Sequence, residues 1–213
     1  MQAIILAAGK GERLGEESAA VPKPMIEIGG RPVLEWTVRH LAAAGITDIT
    51  ITVHHKWEQV VGYFDALKGV LGAVIHFSYE EELLGTAGGV KKVMKDRRFQ
   101  SPFIVWHGDN LSTCDVQRMA MYHKVCRADA TIAVCWRSDV ASSGVMEWDS
   151  ENRVTCFDER PRARVVPGGW VNAGIYILEP GVVDSIGDGF EDFGYTTFPQ
   201  LLLDGPEVQA YVL

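Results

Sequence analysis

Apolar positions along this chain switch repeatedly between two periods, and the switches predict strands alternating with helices. Ala3 to Leu6 is a β-branched apolar run of strand length that stops at Ala7-Ala8-Gly9-Lys10-Gly11. Leu34, Val38 and Leu41 follow helical spacing, with Pro32 suited to the first helical position and Gly45 to the stop. Ile49, Ile51 and Val53 alternate with polar residues, which makes Asp48 to Val53 a strand. Val60, Phe64 and Leu67 mark a helix, Val74 to Tyr79 a strand, and Gly85 to Lys95 a helix entry. Phe103 to Trp106 is a strand of the fully buried kind, ending at His107-Gly108-Asp109; a helix from Asp115 to Arg127 and a strand from Thr131 to Trp136 follow. The second half changes character: Gly144 to Trp148 and Arg153 to Asp158 form a hairpin around Asp149-Ser150-Glu151-Asn152. A strand from Trp170 to Leu178, a helix around Phe198 to Leu203 and a strand from Val208 to Leu213 complete the order. Such alternation predicts an α/β fold: a doubly wound, three-layer, mostly parallel sheet, with a small β-rich subregion. Glu16 to Val21, Arg160 to Gly169 and Gly187 to Gly194 read as mobile tracts.

Side chains nearly vanish between Ala7 and Gly11, so backbone N–H groups there can approach a guest closely. Phosphate is the favoured guest, because adjacent amides and a helix N-terminus present fixed positive dipoles. Two familiar loops are excluded by spacing. Gly9, Gly11 and Gly15 give GxGxxxG, one residue longer than the dinucleotide fingerprint, and no Gly-Lys-Ser/Thr follows. Arg13 adds a planar cationic fork and Lys23 a point charge on a flexible stem. Lys23 stands between Pro22 and Pro24, whose rings stiffen its backbone and aim the ammonium. These residues together describe a triphosphate cradle. Asp109, after Gly108 at a strand end, suits Mg²⁺, which takes few protein oxygens beside phosphate and water; capping of the next turn is the other reading.

Composition narrows the partners. At 213 residues and 47% hydrophobic, the chain is long enough for one domain with a buried core. A formal net charge of −8 argues against nucleic acid, which needs clustered basic residues, while small anions can still bind where local charge outweighs the sum. Cys114, Cys126, Cys135 and Cys156 lack metal-ligand spacing and read as reduced thiols. With no apolar run of membrane-spanning length and a strand almost at once after Met1, a cytoplasmic protein without membrane contact is expected. His54, His55 and His107 lack a spaced partner set and read as packed or loop-facing histidines.

The segment LAAGKGERL followed by PKPMIEIGGRPVLEW resembles the nucleotidylyltransferases that join a sugar 1-phosphate to a nucleoside triphosphate, whose pattern runs LAGGxGTRL, then PKPM, then a helix. Further on, Gly144-Val145-Met146 is similar to that family's GVV turn, Glu159-Arg160-Pro161 to its EKP motif, and Val171 to Tyr176 to its VNAGIY strand. The resemblance covers most of the chain. It implies a single Rossmann-like catalytic domain over residues 1–213, with a nucleotide half over about 1–135 and a β-rich sugar-phosphate half over about 136–213. It also implies Mg²⁺, a nucleoside triphosphate and a sugar 1-phosphate as partners, and leaves room for a homo-oligomer. By that resemblance Arg13 and Lys23 are catalytic, and Asp109 holds the metal. Leu6, Ala8, Gly9, Gly11, Glu12, Arg13, Lys23, Glu82, Gly85 and Thr86 contact the nucleotide. Gly144, Glu159, Arg160 and Asn172 contact the sugar phosphate, although Arg160 departs from the family's lysine and keeps its charge without its geometry.

The implied reaction is an in-line displacement at the α-phosphorus, releasing pyrophosphate. Base identity is divided: Gly15-Glu16-Glu17-Ser18 resembles cytidylyltransferases, whereas Gly85-Thr86-Ala87-Gly88 and Asp192-Phe193-Gly194 look like guanylyltransferases, which are favoured. Glu82 is the carboxylate expected to read a guanine edge, with a solvated charge run as the other reading of Glu80 to Glu82. The family's second metal-binding carboxylate, in a W-x-DIGT segment, has no counterpart before Leu213, which keeps a nucleotide-sugar-binding regulatory subunit in view. A sugar-nucleotide-dependent glycosyltransferase is the remaining rival, disfavoured because Gly108-Asp109-Asn110 is not a DxD motif.

Overall fold

A computed structural model describes residues 1–9, 21–140, 143–159 and 168–213. Gly11, Glu12, Arg13 and Arg160 lie outside the described residues. In chain order the elements are β1 (Gln2–Leu6), a short ribbon of β2 (Glu27–Ile28) and β3 (Arg31–Pro32), α1 (Val33–Ala43), β4 (Asp48–Val53) and α2 (Trp57–Ala66). There follow β5 (Val74–Tyr79), α3 (Gly85–Arg97), β6 (Phe103–His107), α4 (Val116–Cys126), β7 (Ala130–Arg137), β8 (Val145–Trp148) and β9 (Val154–Asp158). The chain continues through β10 (Gly169–Leu178), α5 (Phe198–Asp204) and β11 (Val208–Val212). The main sheet has the order β11-β7-β10-β6-β1-β4-β5, with the β8–β9 hairpin attached to β10. β5, β4, β1 and β6 run parallel, β10 runs against β6 and β7, and β11 is parallel to β7.

Alternate residues of the central strands feed two cores on opposite faces, which is what a doubly wound, three-layer sheet requires. Ile4, Val105, Tyr176 and Ile132 join one core with Val90 and Val93 of α3 and Phe198 and Leu201 of α5. Ile5, Trp106, Ile175 and Ile51 join the other with Leu34 and Val38 of α1, Phe64 of α2 and Met119 of α4. Each such side chain, fully buried, contributes about 1.5–3 kcal/mol, so these cores dominate stability. β4 differs from the half-polar strand its alternation suggests. Thr50 and Thr52 are buried as well, because a parallel strand with helices on both sides has no wet face. Their hydroxyl oxygens accept instead: Thr52 Oγ1 from the Ala7 N–H at 3.2 Å, and Thr50 Oγ1 from Arg97 at 2.6 Å. No helix among the described residues is long and apolar enough to cross a membrane.

Register places the chemistry. Leu6 stands opposite both Thr52 and His107, and Val53 opposite Tyr79, so four parallel strands end at one edge. Whatever follows them emerges there: Ala7 to Gly9, Glu80 to Thr86, and Gly108 to Asn110, where open α/β sheets take their ligands. The tract from Gly187 to Gly194, expected to be loose, is sewn onto the start of α3. Ala87 and Gly88 N–H both donate to the Glu191 carbonyl at 3.0 and 3.1 Å, and the Thr86 hydroxyl donates to Asp192 at 2.9 Å. Gly85 permits this seam, having a φ of +77° and no side chain where a Cβ would run into the Glu191 carbonyl. Gly85→Ala is therefore expected to destabilise the fold by about 2 kcal/mol or more, lowering the midpoint by roughly 5 °C. Gly62→Ala, on α2 with open space around the position, is expected to leave the midpoint unchanged or raise it, both readable by calorimetry.

Candidate active site

Two cavities open at the edge where the parallel strands end. The smaller, about 540 Å³, is lined by Leu6 to Gly9, Thr52, Glu80, Leu83, Gly85, Thr86, Phe190 and Asp192. The larger, about 1350 Å³, takes Trp36 and Arg39 from α1, Arg137 from β7, Gly144, Glu159, and Asn172 to Gly174 from β10. Lys23, His107 and Asp109 border both. The smaller cavity thus draws on residues late in the chain and the larger on residues early in it, across the division near residue 135.

Lys23 opens a one-turn 3₁₀ segment, Lys23–Met25, held by the Met25 N–H donating to the Pro22 carbonyl at 2.8 Å. Its ammonium meets Asp109 Oδ2 in an ion pair that joins positions 86 residues apart. Asp109 is in turn fixed by its own turn. Asn110 N–H donates to the His107 carbonyl at 3.0 Å, the Trp106 indole N–H to the Asn110 carbonyl at 3.1 Å, and the Asn110 amide to the Ala173 carbonyl at 2.9 Å. The pair therefore joins the 3₁₀ turn that carries Lys23 to the turn that closes β6.

The acidic triplet divides in an unexpected way. Glu82, the expected base reader, is exposed and does not border the smaller cavity, whereas Glu80 borders it and is 2% exposed. Glu80 Oε2 accepts from the Leu84 N–H at 3.0 Å, and Gly89 leaves room for Oε1, since a Cβ there would stand 2.8 Å from it. Burial raises the Glu80 pKa, with that amide, His54 and Lys92 pulling the other way. The signal was present in the sequence: Glu80 directly follows β5, so it shares the level of the other strand ends.

In the larger cavity Glu159 lies where two glycines make space. A Cβ on Gly144 would come 2.5 Å from its Oε2, and one on Gly194 would overlap it. Asn172 borders the same cavity, with its amide held by the Gly174 N–H at 2.8 Å and by the Tyr176 hydroxyl at 2.8 Å. Tyr176 is also 3.2 Å from His107 Nε2. Burial lowers the His107 pKa, against the pull of Asp109 and Asp192. Leu6, Ala8, Gly9, Lys23, Gly85, Thr86 and Asp109 are thus gathered around the smaller cavity, and Gly144, Glu159 and Asn172 around the larger. Sequence reasoning did not select Glu80, His107, Phe190 or Asp192.

The family model for nucleotidyl transferases matches residues 2–213. The chain belongs to the nucleotidyl transferase family. Relatives of the chain include a mannose-1-phosphate guanyltransferase of Debaryomyces hansenii, 34% identical over 100% of this chain and 59% of that protein. A UTP–glucose-1-phosphate uridylyltransferase of Synechocystis sp. is 35% identical over 96% of this chain and 56% of that protein. The chain thus spans a little over half the length of these relatives. Among solved structures, HddC from Yersinia pseudotuberculosis complexed with GMP-PN matches with a TM-score of 0.84 and 26% identity, covering 100% of this chain and 90% of that one.

Whether the site suits Mg²⁺ turns on Asp109. The described residues gather no group of three His, Cys, Asp or Glu side chains able to hold a metal. A single hard carboxylate bordering both cavities nevertheless fits Mg²⁺, which keeps water and substrate phosphate as most of its ligands.

Proposed function

We propose that this chain transfers a nucleotidyl group, guanylyl in preference, from a nucleoside triphosphate to a sugar 1-phosphate, giving an NDP-sugar and pyrophosphate. The observation that carries this reading is the shared wall: two separate cavities meet at one cation and one carboxylate, Lys23 and Asp109. The triphosphate lies in the smaller cavity over Ala8 and Gly9; among the described residues a Cβ on Gly9 would find nothing within 4 Å. Glu80 faces the base, and a carboxylate pairs with guanine's adjacent N1–H and N2–H donors. The sugar occupies the larger cavity, its hydroxyls meeting Glu159 and Asn172. Their phosphates then converge at Lys23, whose ammonium lowers the repulsion between two anions that must approach in line. Arg13, outside the described residues, is assigned to the departing pyrophosphate. Mg²⁺ held by Asp109 would neutralise phosphoryl charge. The anionic attacking group needs no general base, so the protein's work is positioning and charge. GMP-PN bound to HddC and the guanyltransferase relatives support the guanylyl preference, and the four free cysteines support a reducing, cytoplasmic setting.

Pyrophosphate release tests the reading. The four common nucleoside triphosphates, each paired with mannose, glucose and heptose 1-phosphates, are expected to give release fastest with GTP. Absence of release with every pair, alongside measurable NDP-sugar binding, would favour the regulatory-subunit alternative.

A further inference from the structure

Of the three residues common to both cavities, His107 alone has no part in the reaction just described, yet a directed chain of hydrogen bonds ends on its ring. The Gly174 N–H donates to Asn172 Oδ1 at 2.8 Å, and since a backbone amide can only donate, this oxygen is the acceptor and the amide orientation is fixed. Asn172 Nδ2 therefore donates to the Tyr176 hydroxyl at 2.8 Å. Tyr176 is 0% exposed, and leaving its single O–H hydrogen without an acceptor costs about 1–3 kcal/mol. His107 Nε2 stands 3.2 Å away and takes that hydrogen. Nε2 thus carries the lone pair, and the proton of the neutral ring resides on Nδ1. The ring is also held sterically. Tyr176 packs edge-on at 5.6 Å and 90°, and Gly174, with φ +69°, brings its backbone so near that a Cβ there would stand 3.0 Å from His107 Cγ.

We propose that His107 donates a hydrogen bond from Nδ1–H to a phosphoryl oxygen of the sugar 1-phosphate at the junction of the two cavities, orienting the attacking phosphate beside Lys23. The inference rests on the transferase reading above. No bond at the imidazole breaks, and the proton stays on Nδ1 throughout. A neutral, directional donor suits this place because Lys23 and Asp109 already supply one charge of each sign. The Asn172–Tyr176–His107 relay sets which nitrogen faces substrate as a donor, so β10 acts on the reaction through β6.

Asparagine places an amide N–H near the position of Nδ1, and glutamine places one near Nε2, so His107→Asn, His107→Gln and His107→Leu separate the two nitrogens. With the substrate pair that wild type turns over, His107→Leu is expected to lower kcat about 100-fold with KM for GTP little changed. His107→Gln should do as badly, and His107→Asn should recover at least about tenfold of the loss. Wild-type rates in His107→Leu, or glutamine outperforming asparagine, would overturn the inference while leaving the transferase reading standing. A wild-type chain that releases no pyrophosphate with any pair would take down both. Imidazole nitrogen spectra of the ¹⁵N-labelled, unsubstituted chain give a readout independent of activity and of variant folding. The Nδ1–H tautomer is expected for His107, and an Nε2–H tautomer would overturn the relay.

Discussion

Lys23→Ala is expected to lower kcat for pyrophosphate release about 10³-fold while leaving the thermal midpoint nearly unchanged. The rate falls because the ammonium is the described cation bordering both cavities, placed where two phosphates meet. A preorganised positive charge at a transferring phosphoryl group is worth far more in the transition state than in the bound ground state. Stability holds because the pair with Asp109 is half open to water, with side-chain exposures of 39% and 31%, and such pairs contribute about 0–1 kcal/mol. The local backbone does not depend on the side chain either. Pro22 and Pro24 set it, and the Met25 and Ile26 amides donate to the Pro22 and Lys23 carbonyls at 2.8 and 3.2 Å. Lys23→Arg keeps the charge but replaces a compact ammonium by a wide fork, so it should recover little. Steady-state kinetics with calorimetry on the same preparations check this. Turnover within tenfold of wild type would remove Lys23 from the centre of the reaction.

Which parts of this arrangement the sequence reveals follows from how local each cause is. β1 and β6 are legible because an apolar β-branched run can be stable only when both its faces are covered, and both strands are buried throughout their middles. Glycine and proline punctuation likewise announces the turns around Lys23 and Asp109. The choice between Glu80 and Glu82 is not local. Three consecutive glutamates are chemically identical, and only the level at which β5 stops, with Tyr79 beside Val53, decides that the first faces the cavity. The Gly187 to Gly194 tract looks loose because its ties run to Thr86, 106 residues away from Asp192, and nothing within the tract announces them. His107 looks isolated for the same reason. Its partners arrive from β10, with Tyr176 separated by 69 residues. Short-range pattern therefore fixes the frame and the loops on its edge, while long-range pairing decides which side chains on those loops face the guest.

Glu80→Gln is expected to lower kcat/KM for GTP by about 10²-fold or more, and to abolish the advantage of GTP over ITP, which lacks the exocyclic amino group. Guanine presents two adjacent donors, and an ionised carboxylate offers an acceptor to each. The amide offers one acceptor and one NH₂, so one guanine donor is left facing another donor in a buried site. The side chain is buried and the Leu84 N–H already holds Oε2 at 3.0 Å, which restrains a compensating shift. Glu82→Gln, at an exposed position outside the cavity, should leave GTP use at wild-type level. Acidity gives a second reading of the same contact. Burial raises the Glu80 pKa, so the carboxyl takes up its proton, and loses one acceptor, at a pH above the ordinary glutamate range. The acidic fall of kcat/KM for GTP should accordingly begin early, and that component should be missing in Glu80→Gln. A variant that keeps the GTP preference and the wild-type acidic limb would mean that the base is read by other groups, and that Glu80 is buried only to cap the turn into α3.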